Sequence, residues 1–259
     1  MKEATLLTYT PKEMMAIAAA RCIKDGDIVF CGTGISMLAA MAAKHISAPA
    51  SRIFFETGAI DSHLEEVPLA VGDPRVMYRT ALNGSLMDSF AFMQNRLTGE
   101  RVVGILGAAQ IDRYGNLNST VIGDYDHPRV RFSGSGGAAD VASFVGRTII
   151  FMQHEKRKFV ETVDYLTSPG WLHGGDSREK AGLGSNGPWR VITNLGIMAF
   201  KETTREMYLK EHFPGVKTDD IRQNMNFEVD VSRSRRTTEP SPQELDILRN
   251  QCDPQRLIL

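Results

Sequence analysis

Ile28-Val29-Phe30-Cys31-Gly32-Thr33-Gly34 and Ile53-Phe54-Phe55-Glu56-Thr57-Gly58 bracket a stretch from Met37 to Lys44 that has helical character. The two short apolar runs, each ended by glycine, read as buried strands. Strand, helix and strand in that order predict a parallel pair joined by a right-handed crossover. Glu56 then stands at the carboxyl end of the second strand, the edge at which open α/β sheets hold their ligands.

The same pattern extends outward. Thr10-Pro11-Lys12-Glu13 carries a capping hydroxyl, a proline for the first helical position and a glutamate for a capping box, so a helix should run to about Ile23. Lys24-Asp25-Gly26-Asp27 turns the chain into the first strand. Further strands are expected at 102–106, 148–152 and 190–193. Asn194-Leu195-Gly196 then leads into 197–200, with 207–209 after it as an antiparallel addition. Ser241-Pro242-Gln243-Glu244 repeats the helix-start signal before a last helix near residue 250. Gly170 to Pro188 holds six glycines and reads as a mobile loop or a cover. With no internal repeat and no long linker, residues 1–259 are expected to form a single α/β domain. Its fold is an open, mostly parallel sheet flanked by helices.

The 259 residues are 42% hydrophobic with a formal charge of −1. That suits a packed globule and supplies no global field for nucleic acid or an anionic membrane. Cys22, Cys31 and Cys252 are odd in number and lack metal-like spacing, so they read as reduced thiols of a cytoplasmic protein. The start Met1-Lys2-Glu3 has no apolar signal core, and no window approaches roughly 18 apolar residues, the length of a membrane span. A soluble, unexported protein is expected.

Several segments could carry chemistry. Gly32-Thr33-Gly34 allows backbone amides to approach a phosphate, and Glu56 resembles the acid that holds a ribose in dinucleotide folds. Yet Met37 occupies the place of the third glycine, and a simple turn is the alternative. Glu56 itself is either a poorly hydrated nucleophile at the mouth of an apolar strand or a carboxylate capping a loop. Ser133-Gly134-Ser135-Gly136-Gly137-Ala138-Ala139-Asp140 offers unobstructed main-chain amides to an oxyanion or phosphate, or else is a flexible turn. Gly107-Ala108-Ala109-Gln110-Ile111-Asp112 gives a strand end without bulk, followed by an ordinary turn at Tyr114-Gly115-Asn116. Gly123-Asp124-Tyr125-Asp126-His127 is weak as a metal site, because no second cluster matches it. His154-Glu155-Lys156-Arg157-Lys158 reads as a solvated face, a subunit contact or an edge that meets phosphates.

Taken in order, these segments resemble the β subunits of class I coenzyme A transferases of the glutaconate type. The likeness is carried by Val67-Pro68, Val71-Gly72-Asp73, Ala109-Gln110-Ile111-Asp112-Arg113-Tyr114-Gly115-Asn116 and Ile122-Gly123-Asp124-Tyr125. It continues through Phe132-Ser133-Gly134-Ser135-Gly136-Gly137-Ala138, Met152-Gln153-His154-Glu155-Lys156-Arg157 and Asp164-Tyr165-Leu166-Thr167-Ser168-Pro169-Gly170-Trp171.

The resemblance implies that Glu56 is the nucleophile and that Gly136, Gly137, Ala138 and Gln110 serve the oxyanion or coenzyme A. It further implies ping-pong transfer of coenzyme A between an acyl-CoA and a small dicarboxylate such as glutaconate, through a glutamyl-CoA thioester. Coenzyme A would be a substrate carrier, with no permanently bound cofactor and no metal. An α subunit would complete the cleft in a heterodimer or a multiple of it. The competing expectations are an acyl-CoA hydrolase on the same fold, an NAD-binding oxidoreductase that uses Gly32 to Gly34, and a non-catalytic subunit.

Overall fold

The computed structural model describes residues 8–259, so the Met1-Lys2-Glu3 start lies outside the described residues. Helix α1 (Pro11–Ala20) opens on the expected capping box: Glu13 N–H donates to Thr10 Oγ1, and Thr10 N–H donates to the Glu13 carboxylate. It stops short of Ile23 because the amides of Cys22 and Ile23 turn to the carbonyls of Ala19 and Ala20 three residues back. Strand β1 (Ile28–Cys31), helix α2 (Ile35–Ile46) and strand β2 (Arg52–Phe54) follow, and β1 pairs with β2 in parallel.

The chain then adds β3 (Ala59–Ile60), β4 (Leu82–Asn83), α3 (Leu86–Gln94), α4 (Arg96–Gly99) and β5 (Val102–Gly107). Two small ribbons come next: β6 (Gln110–Ile111) with β7 (Leu117–Asn118), and β8 (Val121–Gly123) with β9 (Pro128–Arg131). Helix α5 (Ala138–Phe144), β10 (Arg147–Met152), α6 (Ser177–Lys180), β11 (Gly187–Thr193), β12 (Gly196–Phe200) and β13 (Met207–His212) lead to α7 (Thr218–Gln223) and β14 (Arg235–Arg236). Helix α8 (Pro242–Asp246) is continued by a wider π-type turn at Ile247–Cys252, in the region where the last helix was expected.

Ten strands form one open sheet in the order β14-β13-β12-β11-β10-β5-β1-β2-β3-β4. Its centre, β11 to β2, is parallel, and β12 and β13 add antiparallel on one side as the sequence predicts. The antiparallel pair β3 and β4 on the opposite edge was not foreseen. Alternate residues supply two cores. Val29, Ile53, Phe55, Val103, Ile105 and Ile149 face α1 and α2, whereas Phe30, Phe54, Val102, Leu106 and Ile150 face the side of α3, α5 and α7. Burial on both faces explains why these strands read as continuous apolar runs.

Met37, where a dinucleotide site would place glycine, is wholly buried in the first core. The glycine-rich stretch 170–188 is tied down by the buried Arg178, whose guanidinium donates to the carbonyls of Pro169, Gly170, Gly184, Ala142 and Ser143. All three cysteines are free, and burial pushes the Cys31 thiol up to about 12. Among the described residues no helix is long and apolar enough to cross a membrane.

Arg249 in the terminal turn donates Nη2 to Glu13 at 2.9 Å, clamping the two ends of the described chain together. That bond holds the Glu13 carboxyl below its ordinary value of 4.5. A depressed carboxyl contributes stability above its unfolded pKa and loses it as pH falls through the folded one. Glu13→Gln should therefore cost about 1–3 kcal/mol in urea unfolding at neutral pH. The difference from wild type should shrink as the pH falls below the ordinary carboxyl value of 4.5 and through the lower folded one.

Candidate active site

The parallel strands β1, β2, β5, β10 and β11 all end on one edge, and Glu56 lies there, two residues beyond β2. Phe55 N–H donates to Ala59 O at 3.0 Å and Gly58 N–H donates to Phe55 O at 3.0 Å, so Glu56 and Thr57 occupy the corner of a tight turn. Gly58 has φ of +101°, and a Cβ there would lie 2.1 Å from Gly84 O, so both its conformation and the close strand approach demand glycine. Ser89, buried on α3, donates its hydroxyl to Phe55 O at 2.9 Å and ties the turn to that helix.

Strand alternation sends Ile53 and Phe55 into one core and Phe54 into the other, so Glu56 emerges on the side of α3 and α5. There it meets the glycine loop: a Cβ at Gly137 would lie 3.5 Å from Glu56 Oε1 and 2.8 Å from Phe90 Cζ on α3. The Phe90 ring fills the space a side chain at Gly137 would need, whereas 3.5 Å from the carboxylate is an ordinary contact. Among the described residues no donor or cation engages the Glu56 carboxylate, and no acceptor engages the amides of Gly136 or Gly137. Ala138 N–H already donates to Ser135 O at 3.0 Å, and Ala139 N–H to Ser135 Oγ at 3.0 Å. Thr57 Oγ1, next to Glu56, is buried without a hydrogen-bond partner among the described residues.

Gln110 is held elsewhere. It is buried on β6, and its Oε1 accepts from Asn118 Nδ2 at 2.7 Å and from Asp164 N–H at 3.0 Å. Its bonds go to its own ribbon and to the loop at Asp164, and not to Glu56. The structure thus brings Glu56 and Gly137 together and gives Gln110 a framework position. Ser133, at the head of the glycine loop, also lines a cavity of about 590 Å³ whose walls include Ala108, Ile122, Phe132, Arg157 and Lys158.

The other segments separate in the structure. Asp124 Oδ1 accepts from the backbone amides of Asp126 and His127 and so caps its own turn. The 154–158 run was read as a solvated face, a subunit contact or an edge that meets phosphates; its first residue, His154, is instead buried against Phe159 with ring centroids 4.5 Å apart. Its Nε2 meets Ile221 O at 3.0 Å. Burial lowers its pKa below 6.5. Tyr114-Gly115-Asn116 forms the expected turn, with Asp112 Oδ1 receiving the amides of Tyr114 and Asn116.

Ser89 and Phe90 went unnoticed in the sequence. Gly84 followed by Ser85 and Asp88 was the available signal, a turn leading into a capped helix; Ser85 and Asp88 do bond reciprocally there. Ser89→Ala would remove one of the two donors to Phe55 O. It should cost about 1 kcal/mol of stability and lower kcat by about tenfold through loosening of the Glu56 turn, read by thermal unfolding alongside steady-state rates.

Residues 12–224 match the family described as coenzyme A transferase. The chain is 42% identical over 252 residues to the B subunit of glutaconate CoA-transferase from Acidaminococcus fermentans, covering 95% of this chain and 93% of that protein. It is 36% identical over 243 residues to the B subunit of 3-oxoadipate CoA-transferase from Pseudomonas knackmussii, covering 93% and 92%. The crystal structure of glutaconate coenzyme A-transferase from Acidaminococcus fermentans superposes with a TM-score of 0.94 at 42% identity, over 97% of each chain.

Proposed function

The chain belongs to the coenzyme A transferase family, and from that premise we propose that it is a catalytic subunit moving coenzyme A between an acyl-CoA and a small dicarboxylate, with Glu56 as the nucleophile. The observation that carries the assignment is the Glu56 carboxylate at the sheet edge, unengaged among the described residues, against a glycine loop with two amides likewise unengaged.

In the first step a Glu56 carboxylate oxygen attacks the thioester carbonyl. The C–S bond breaks, coenzyme A leaves as thiolate, and a mixed acyl-glutamyl anhydride remains. The thiolate then attacks the glutamyl carbonyl of the anhydride, forming a glutamyl-CoA thioester and releasing the first carboxylate. An acceptor carboxylate runs the two steps in reverse and regenerates Glu56. Each step passes through an oxyanion, and the amides of Gly136 and Gly137 are the donors available to it. A carboxylate suits the task because it can form both the anhydride and the thioester reversibly.

The cavity beyond Ser133 supports the choice of substrate carrier. Its apolar wall at Ile122 and Phe132 suits a pantetheine arm, and Arg157 and Lys158 suit phosphates. The two relatives are both named as B subunits of CoA-transferases, one for glutaconate and one for 3-oxoadipate. They support a short dicarboxylate as acceptor and a companion subunit that completes the cleft. Residues 1–259 act as one catalytic unit in this scheme, in the cytoplasm and with no permanently bound cofactor.

The test follows labelled coenzyme A in the assembled enzyme with and without a free dicarboxylate. Label should move only when the acceptor is present. Equal loss of thioester without acceptor would identify a hydrolase instead.

A further inference from the structure

The face of the sheet beneath α1 holds a second pocket, built by a register shift. Strand β12 pairs with β13 through Ile197↔Glu211 and then Met198↔Leu209, so Lys210 is the extra residue of a β-bulge. Bulges turn a side chain out of the regular alternation. Here the shift sets Lys210 beside Glu211, and both line a cavity of about 300 Å³ together with Arg190 of β11, Cys22 and Thr237. The rim is pinned by Arg21, which donates to the carbonyls of Thr238 and Glu239 while its guanidinium pairs with Glu244 at 2.7 Å.

The charges in this pocket do not balance. Arg21 has Glu244, and Glu211 has Arg235 at 2.9 Å. Among the described residues neither Arg190 nor Lys210 has a carboxylate at ion-pair distance. Arg190 lies over the Trp189 ring, 4.0 Å from its centroid, with one guanidinium nitrogen on its own strand's Trp189 O. Thr237 is 5% exposed, and its hydroxyl is buried with no partner among the described residues. Two neighbouring cations and an unsatisfied buried hydroxyl are each costly to leave without a counter-group. Burial, together with the repulsion of Arg190, also lowers the pKa of Lys210.

We propose that this pocket binds a phosphoryl dianion, with Lys210 and Arg190 supplying the charge and the Thr237 hydroxyl a hydrogen bond. It lies under α1, on the opposite face of the sheet from the α3 and α5 surface onto which Glu56 emerges, and is assigned no part in the transfer reaction. The volume of about 300 Å³, roughly ten waters' worth, admits a phosphate group together with part of what it is attached to, so the dianion is either free phosphate or the end of a phosphate monoester.

The assembled enzyme carries its own reporter, because Cys22 lines the pocket and is half-buried while Cys31 and Cys252 are buried. Inorganic phosphate should slow alkylation of Cys22 by iodoacetamide in a saturable way, followed by peptide mass spectrometry, with chloride at matched ionic strength giving no protection. AMP forms the second arm: protection by AMP alone identifies a monoester site, and protection by phosphate identifies a free-anion site. Thr237→Val should leave the unprotected alkylation rate near wild type, whereas Lys210→Met removes a cation that favours the Cys22 thiolate and should slow it, so protection is read in each variant as the ratio of rates with and without the probe. Lys210→Met should weaken protection by about ten- to a hundredfold, the loss of one charge-assisted contact. Absence of saturable protection by either probe, or equal protection in Lys210→Met, overturns the proposal.

Discussion

Glu56→Gln is expected to lower kcat by on the order of 10⁴-fold, with assembly and unfolding temperature close to wild type. The amide keeps the size of the side chain and lies on a turn held by backbone bonds of Phe55, Gly58 and Gly84 and by Ser89, none of which involves the carboxylate. What is lost is the oxygen nucleophile and the capacity to form anhydride and thioester in turn. Glu56→Asp keeps the chemistry but withdraws the carboxylate by one methylene from the Gly137 backbone. It should fall between the two, since about 1 Å of misplacement costs about a hundredfold. A variant Glu56→Gln with wild-type rates would remove Glu56 from the mechanism altogether.

The second large effect is expected at Gly137. In Gly137→Ala the new methyl would sit 2.8 Å from Phe90 Cζ, closer than real side chains pack, so either the ring or the loop must move. Movement of the loop shifts the Gly136 and Gly137 amides relative to Glu56. The expected result is a loss of about a hundredfold in kcat/KM and about 1–3 kcal/mol of stability from overpacking. Adding Phe90→Leu removes the ring and should return the stability and most of the rate. Gly136 provides the internal contrast: nothing lies within 4 Å of a Cβ there, though its φ of +50° still strains any side chain. Gly136→Ala should therefore cost less at the Phe90 contact and respond little to Phe90→Leu.

The parallel core was legible because its strands are buried on both faces and appear as short apolar runs between glycine-containing turns. The residues at 28–31, 102–106 and 148–152 lie within β1, β5 and β10. Both proline-bearing capping boxes announced their helices. The strands β3, β4, β6 and β7 were not legible, since each has only two residues and is set by pairing partners and by turns held through side chains. Asp112, Asn116 and Asn118 do that work in the first ribbon, where nothing periodic marks them. Helix α3 was missed for a different reason. It buries little more than Ser89 and Met93, while Leu86 and Met87 are exposed, so it has no apolar stripe of the usual width.

The candidate site divides along the same line. Glu56 and the glycine loop could be named from local sequence, but their meeting depends on α3 and α5 packing on one side of the sheet. The contact through Phe90 and the tether through Ser89 join residues more than thirty positions apart. Gln110 shows the converse. Its place in a run shared with the family drew attention to it, whereas its hydrogen bonds join the two strands of its own ribbon and tie that ribbon to the loop at Asp164.

The most direct measurement is mass spectrometry of the assembled enzyme after exposure to acyl-CoA and then borohydride. A glutamyl-CoA thioester would be reduced to a primary alcohol at one residue. The proposed mechanism predicts that change on the peptide containing Glu56, dependent on acyl-CoA and absent without it. Modification of a different residue, or inactivation that leaves Glu56 unaltered, would contradict it.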